Sequence, residues 1–384
     1  MSEAGPGAHR PHLASAPARS RSAVRSSVRR TPGRAYVAAA FGLAASLPLL
    51  LGAGSSALET MVVAAAYVIM ALGLNIVVGF AGLIDLGYVA FFAIGAHVTA
   101  YCGSAFWANA AGGAGIALFV GEPAASMPGI HVNFLIILVL AVVATTAVGV
   151  LIGVPTLRLR GDYVGIVTLA FGEIIGEVAS HGREIELFGG SLTGGPNGMS
   201  AIDRIDLPFL ERFSALDLRP WYWFALALVA LMLFVNVRLR DSRVGRAWLA
   251  VRDDEGAAAS AGVPIVRTKL LAYGVGAALG GVSGAFLASY LSTVNSDQFT
   301  FSFSIFVLAM VVLGGLGSIW GVVVGAIVLS VFNHYLLPRV LYDVPSHVGL
   351  DFDLSQISSG IYGFLLVILM LVRPQGLLPE RRRR

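Results

Sequence analysis

The feature that most limits what this chain can fold into is a series of apolar runs, most of them about as long as a bilayer is thick. A helix rises 1.5 Å per residue, so ~20 apolar residues cross the hydrocarbon layer. Runs of this kind lie near 35–52, 60–78, 83–102, 131–153, 163–180, 220–237, 270–292, 303–315, 318–337 and 357–372. They are continuous, whereas a membrane β-barrel needs ~10-residue segments of alternating polarity. Charged residues make up only 12% of the chain, against ~25% in a soluble domain. The expected fold is all-α: a polytopic integral membrane helical bundle of about ten transmembrane helices.

Two of the runs divide at glycines. Residues 60–102 are too long for one span, and Gly79, Gly82 and Gly87 interrupt them around Asp85. Residues 303–337 are interrupted at Gly314, Gly315 and Gly317. Glycine costs a helix interior ~1 kcal/mol against alanine, so such clusters suit tight turns and close helix contacts. The two glycine-broken pairs point to an internal duplication, a common plan among membrane transport folds.

Charge orients the bundle. Residues 1–34 hold seven arginines and one acid among Ser, Pro and Ala. Such a segment cannot bury a core and is expected to be disordered. Beside a membrane it can touch anionic lipid. A cleaved signal peptide is the competing reading, because small residues follow 35–51. Its basic region would be unusually long, which favours a retained helix. With ten spans and the N-terminus inside, 21 of the 26 basic residues fall on the cytoplasmic side, as the positive-inside bias requires. Both termini are then cytoplasmic. Fusing 303–337 into one helix would put Arg381–Arg384 outside. The expected organisation is a disordered tail over 1–34, a transmembrane domain over 35–375 and a basic tail over 376–384. The outer segment 181–219 carries six acids, four arginines and the turn-forming stretch Ser191–Gly198. It reads as a solvated loop or a docking surface. The nearly uncharged stretch 103–130 is expected to pack on the outer face.

Several function classes have no support. One cysteine, Cys102, excludes an internal disulfide and thiolate clusters. The one lysine, Lys269, follows Thr268, so the Gly-Lys-Ser/Thr of a phosphate-binding loop is absent. Any ATP hydrolysis must occur in another subunit. No nucleophile, base and orienter stand at suggestive spacing, no cofactor or metal site is implied, and nothing points to nucleic acid.

Three acids lie in apolar runs: Asp85, Glu173 and Glu177. An ionised side chain at mid-bilayer costs roughly 2.5–3.5 kcal/mol on insertion scales, so such residues usually face a bundle interior or a watery cavity. Glu173 and Glu177 are four apart and share a helix face; Glu177 is nearer the outer end, where reaching water is the competing reading. With Asn75 they are candidates for a translocation pathway. For Glu173 structural hydrogen bonding competes equally. Asp85 is the more structural of the set, as a cap for a helix beginning at Leu86. Asn75 and His97 each read as helix–helix hydrogen bonds before ligands.

The loop 238–269 is the long charged interruption of the second half, with seven basic and four acidic residues. It cannot lie in lipid. Its middle, 243–262, is expected to form a short helix ending at Gly262-Val263-Pro264. It is where a partner outside the membrane would grip the bundle.

At this point the residues resemble a family. Gly73-Leu-Asn-Ile-Val-Val-Gly79 leads into Ala81-Gly-Leu-Ile-Asp-Leu-Gly87 and Phe91-Phe-Ala-Ile-Gly-Ala96. Leu159-Arg-Gly-Asp-Tyr163 and Thr168-Leu-Ala-Phe-Gly-Glu-Ile174 follow, then the more specific Leu192-Thr-Gly-Gly-Pro-Asn-Gly198. Asp241-Ser-Arg-Val-Gly-Arg246, Ala250-Val-Arg-Asp-Asp-Glu255 and Gly314-Gly-Leu-Gly-Ser-Ile-Trp-Gly321 complete the series. In order and spacing they resemble the LivM-type permease of bacterial branched-chain amino acid ABC importers, over most of residues 60–375.

The resemblance implies an inner-membrane permease, paired with a second, homologous permease subunit. It implies two cytoplasmic ABC ATPase subunits and a periplasmic solute-binding protein as further partners. It also implies that 238–269 carries a coupling helix that docks on an ATPase. The usual pattern there is Glu-Ala-Ala, three residues, then Gly. Here Glu255, Ala258 and Gly262 match only with one residue inserted after the glutamate. Arg246, Arg252, Asp253, Asp254 and Glu255 offer charge pairing, and the alanines allow close approach. Urea or amide permeases and a proton-coupled secondary transporter remain the alternatives.

Overall fold

A computed structural model of the chain describes residues 34–108, 115–121, 127–157, 159, 163–187, 190–206, 213–339, 360, 363–364, 367–368, 371 and 376–378. The arginine tail over 1–33, Arg158 and Arg160, most of the run 357–372 and the final arginines lie outside the described residues. By internal contacts the chain divides into Met1–Ala44 and Ala45–Arg384. The first unit holds the start of helix α1 (Arg34–Leu50). The second holds the bundle.

In order, the bundle contains α2 (Ser56–Leu74), extended by a π-helical turn over Asn75–Phe80, then α3 (Val89–Cys102), α4 (Phe134–Thr156) and α5 (Tyr163–His181). Next come α6 (Arg219–Asp241), α7 (Arg243–Asp253), α8 (Glu255–Ser260) and α9 (Ile265–Leu291). The series closes with α10 (Phe301–Gly314), α11 (Ile319–Val331) with its own π-helical turn over Phe332–Leu336, and α12 (Leu337–Arg339).

Small residues decide the packing. Helix α9 lies against α2, α3 and α4, and it carries glycines at 274, 276, 280, 281 and 284. A Cβ on Gly95 of α3 would come within 2.6 Å of the Gly281 Cα, and one on Gly149 of α4 within 3.0 Å of the Tyr273 carbonyl oxygen. Close backbone approach of this kind joins helices where lipid removes the hydrophobic drive between them. Two buried hydroxyls add ties: Ser283 donates to the Ala66 carbonyl at 2.8 Å and Tyr88 to the Gly276 carbonyl at 2.6 Å. Helices α4, α5 and α6 are the least buried of the long ones; α4 and α6 expose Val139, Leu151 and Phe234, side chains that a hydrocarbon solvent accepts at no cost.

The bundle has two distinct ends. At one, α7 and α8 sit with the start of α9, the end of α2 and the α10–α11 turn. At the other, short strands join the helices. Strand β1 (Gly103–Ser104) runs antiparallel to β3 (Ile130–Val132), which pairs in parallel with β2 (Ile116–Leu118). Strands β4 (Glu186–Leu187) and β5 (Gly190–Ser191) form a small hairpin. Strands β6 (Met199–Ser200) and β7 (Thr293–Val294) tie the segment after α5 to the end of α9. These two- and three-residue pieces are the part that an all-α expectation omits, being too short for any periodicity to register.

Three expectations change. Among the described residues seven helices are long and apolar enough to cross a membrane, and Phe41–Leu50 and Val89–Cys102 are shorter apolar helices; the structure supports a polytopic helical bundle without fixing ten. The single helix expected over 243–262 is two, because Asp254 leaves helical geometry at φ −158° and caps α8 instead. Asp85 is not inside a helix: 81–88 is irregular, α3 begins at Val89, and Tyr88 occupies the position before it. Asp85 therefore does not cap a helix at Leu86; one carboxylate oxygen accepts the Gly87 N–H at 3.0 Å instead.

Candidate functional site

Helix α6 ends where Ser242 turns the chain. The Ser242 hydroxyl accepts the Gly245 N–H at 3.2 Å, satisfying a free donor at the start of α7. Along α7 the apolar side is narrow and fully used. Trp248 and Val251 are buried, and the Trp248 indole N–H donates to the Thr268 carbonyl on α9 at 2.8 Å. Asp254 then accepts the Ala257 N–H at 2.9 Å and starts α8. Gly262, at φ +85°, ends it. There the Val263 N–H returns to the Ala258 carbonyl and the Gly262 N–H to Ala259, each at 3.0 Å, a Schellman-type stop that needs a left-handed residue.

Arg252, at the last turn of α7, is an exposed residue whose side chain turns toward the end of α2. Its guanidinium donates to the Gly79 carbonyl, and its stem lies on Gly82, where an added Cβ would be 2.8 Å from the Arg252 Cγ. Gly79 sits in the π-helical turn that ends α2, where carbonyls run out of intrahelical partners and a cation is favoured. The charged loop thus caps the buried end of α2.

The π-helical turn is fastened on its other side as well. Asn75 is fully buried, and its side-chain oxygen accepts the Gly317 N–H at 2.9 Å. Gly315 and Gly317, at φ +114° and +84°, make the α10–α11 corner that L side chains would strain. Leu377 and Leu378 close over it, donating to the Leu313 and Gly314 carbonyls at 2.8 and 3.1 Å. Arg252, Gly79, Asn75 and Gly317 therefore form one continuous path from the charged loop to the glycine-broken corner.

Not every residue singled out in the sequence joins this cluster. Glu255 is half-exposed and pairs with Lys269 at 2.8 Å, so the chain's one lysine is spent inside the loop. Ala258 is buried and Asp253 and Asp254 are exposed; Arg246 donates to the Asp241 carbonyl at 2.9 Å. Asp85 is buried beside the Thr168 hydroxyl that accepts the Leu86 N–H at 3.1 Å. Gly87 packs on α5 there: its added Cβ would fall on the Thr168 carbonyl.

Glu173 and Glu177 lie elsewhere, on the exposed side of α5 with Tyr163, Ile166 and Ile174. Glu177 meets His181 at 3.0 Å. The four pathway candidates therefore split into a buried pair, Asn75 and Asp85, and an exposed pair on α5. Glu173 and Glu177 do not face the interior of this chain, and the exposure of Glu177 agrees with its place near the outer end of the span. Sequence reading missed the Arg252–Gly79, Trp248–Thr268 and Glu255–Lys269 links, which join residues far apart or masked as ordinary surface charge.

Comparison with known proteins places this geometry. The family described as the branched-chain amino acid transport system permease component matches residues 56–371. The high-affinity branched-chain amino acid transport system permease protein LivM of Salmonella typhimurium is 36% identical over 371 residues, covering 90% of this chain and 75% of that protein. LivM of Escherichia coli K12 matches to the same extent. LivH of Salmonella typhimurium, a second permease protein of that name series, is 30% identical over 158 residues, covering 41% of this chain and 46% of its own. No solved structure matches the chain significantly. The relatives are transport permeases rather than enzymes, and the chain belongs to the family of branched-chain amino acid transport permeases.

Proposed function

We propose that this chain is one of two different permease subunits in an ATP-driven importer of leucine, isoleucine and valine, set in the bacterial inner membrane. A periplasmic binding protein feeds it, and two cytoplasmic ATPase subunits drive it. The observation that carries the reading is the tie between the charged α7–α8 loop and the buried end of α2. A docking loop that merely connected two spans would have no need to cap a helix inside the bundle.

In this mechanism an ATPase subunit grips the exposed part of α8. Its closure on ATP displaces α7, and the displacement passes through Arg252 to the end of α2 and through Trp248 to α9. Interfaces packed backbone to backbone have discrete arrangements rather than a continuum, so a small push selects between two states. The exposed face of α5 supports the second subunit. A span that shows two carboxylates to lipid is costly, and a homologous partner would enclose that face around a watery path. With both short apolar helices and the run 357–372 counted as crossings, ten spans result and both termini stay with the docking loop. The two glycine-lined corners would then be the matching parts of a duplicated plan.

The test uses the assembled complex in proteoliposomes. Radiolabelled leucine is expected to accumulate only with ATP available to the ATPase subunits, with or without a protonophore. Uptake that ignores ATP and collapses under a protonophore would replace this reading with a proton-coupled transporter. Uptake of urea or amides in place of leucine would keep the machine and change its cargo.

A further inference from the structure

A cavity of about 270 Å³ opens between α2, α3, α9, α10 and the π-helical turn after α11. Its mouth is the turn joining α9 to α10, at the end of the bundle away from the docking loop. Its inner wall is aromatic. Tyr67 meets Phe303 and Phe306 at ring separations of 5.5 and 5.8 Å, and Phe92 meets Phe303 at 5.3 Å. Tyr67, Phe92 and Phe306 are buried, so these rings form a fixed apolar floor.

The mouth is different. Asp297, Gln298, Ser302 and Asn333 stand there, and Asp297 and Ser302 are exposed. One carboxylate stands with several neutral side chains that can donate through N–H or O–H groups, and among the described residues no lysine or arginine lines the cavity. A simple anion finds no cation here. A purely apolar ligand would not engage the polar groups at the mouth. A small zwitterion with an aliphatic tail suits both zones. Its ammonium pairs with Asp297, its carboxylate accepts from Ser302 and Gln298, and its tail lies on the rings. The size also suits a small metabolite, since pockets for drug-sized ligands start at roughly 300 Å³.

We propose that this cavity is a substrate station for an aliphatic α-amino acid on its way through the permease. The proposal rests on the importer reading and adds to it the residues that meet the cargo. Apolar burial of the tail supplies attraction without specificity among similar sizes, because one methylene in such a pocket discriminates only ~10–200-fold. The head-group contacts impose the amino-acid class.

The experiment uses the complete complex in proteoliposomes, with the binding protein outside and ATP inside. Photo-leucine, a leucine analogue bearing a diazirine, is supplied during turnover, trapped with vanadate, illuminated and mapped by mass spectrometry. Adducts on Tyr67, Phe303 or Phe306, suppressed by excess leucine, are expected. Asp297→Asn should lower their yield about ten-fold through loss of a charged hydrogen bond, and Asp297→Glu should restore part of it. Adducts elsewhere in this chain, or none, in a complex that takes up leucine would overturn the station and leave the importer reading standing. Failure of the unaltered complex to take up leucine would overturn the importer reading, and the station with it.

Discussion

Replacing Arg252 by methionine is expected to cut leucine uptake at least ten-fold while the complex goes on hydrolysing ATP. The reasoning is local. Methionine keeps much of the stem that lies on Gly82, but it removes the donor that caps the Gly79 carbonyl. A hydrogen bond to a charged group is worth ~1.5–3 kcal/mol. A bias of 1.4 kcal/mol between two conformational states is about ten-fold in population. In the proposed mechanism the ATPase grips the exposed part of α8, which this change leaves alone, so hydrolysis should survive and its link to transport should not. Arg252→Lys keeps the charge without the planar fork and should fall between the two. The measurement is ATP consumed per leucine accumulated in proteoliposomes. A proportional fall of uptake and hydrolysis, at normal membrane levels, would move Arg252 into the docking contact. No change in either would show that the tie transmits nothing.

That prediction concerns a residue whose importance was half legible. The composition of 243–262 marks a charged loop outside the apolar runs, and Arg252 stands there as one of several charges. What the sequence cannot display is its partner, 173 residues away in the chain. Periodicity reports neighbours three or four residues apart, and glycine spacing reports where a helix yields. Neither reports which distant carbonyl lacks a hydrogen bond.

The same limit explains the fate of the acids. Asp85, Glu173 and Glu177 look alike as carboxylates in apolar runs. Asp85 falls in an irregular segment because Gly82 and Gly87 flank it, whereas Glu173 and Glu177 face outward because Gly165, Thr168 and Gly172 on the opposite side of α5 take the close contacts. Small residues tell which face a membrane helix buries more reliably than polar ones do. Seven of the expected spans and the Gly314–Gly317 corner were readable from length and glycines. The break between α7 and α8 was not, since Asp253 and Asp254 are both cap-type residues and only the structure shows the Asp254 side chain accepting the Ala257 N–H.

Gly95→Val is expected to abolish most of the folded permease, whereas Gly256→Ala should leave stability unchanged or slightly raised. Both put a Cβ on a helical glycine, so propensity alone would predict a gain in each. Surroundings decide. On α3, the new Cβ of residue 95 would overlap the Gly281 carbonyl oxygen and lie 2.6 Å from the Gly281 Cα. The obstacle is backbone of α9, which is itself held by α2 and α4. Overpacking in a well-filled interior costs ~1–3 kcal/mol and sometimes more, and here no flexible side chain can move aside. On α8, the nearest atom to an alanine Cβ at 256 is the Asp254 carboxylate oxygen at 3.4 Å, and residue 256 is exposed. Helix propensity then acts unopposed, with up to ~1 kcal/mol in favour of alanine. Heating detergent-extracted protein and following the monodisperse peak by size exclusion separates the two. If Gly95→Val melted like the unaltered protein, α3 and α9 could not be in backbone contact. If Gly256→Ala melted much earlier, the exposed face of α8 would already be covered within this chain, and the surface assigned to the ATPase would have to be sought elsewhere on the loop.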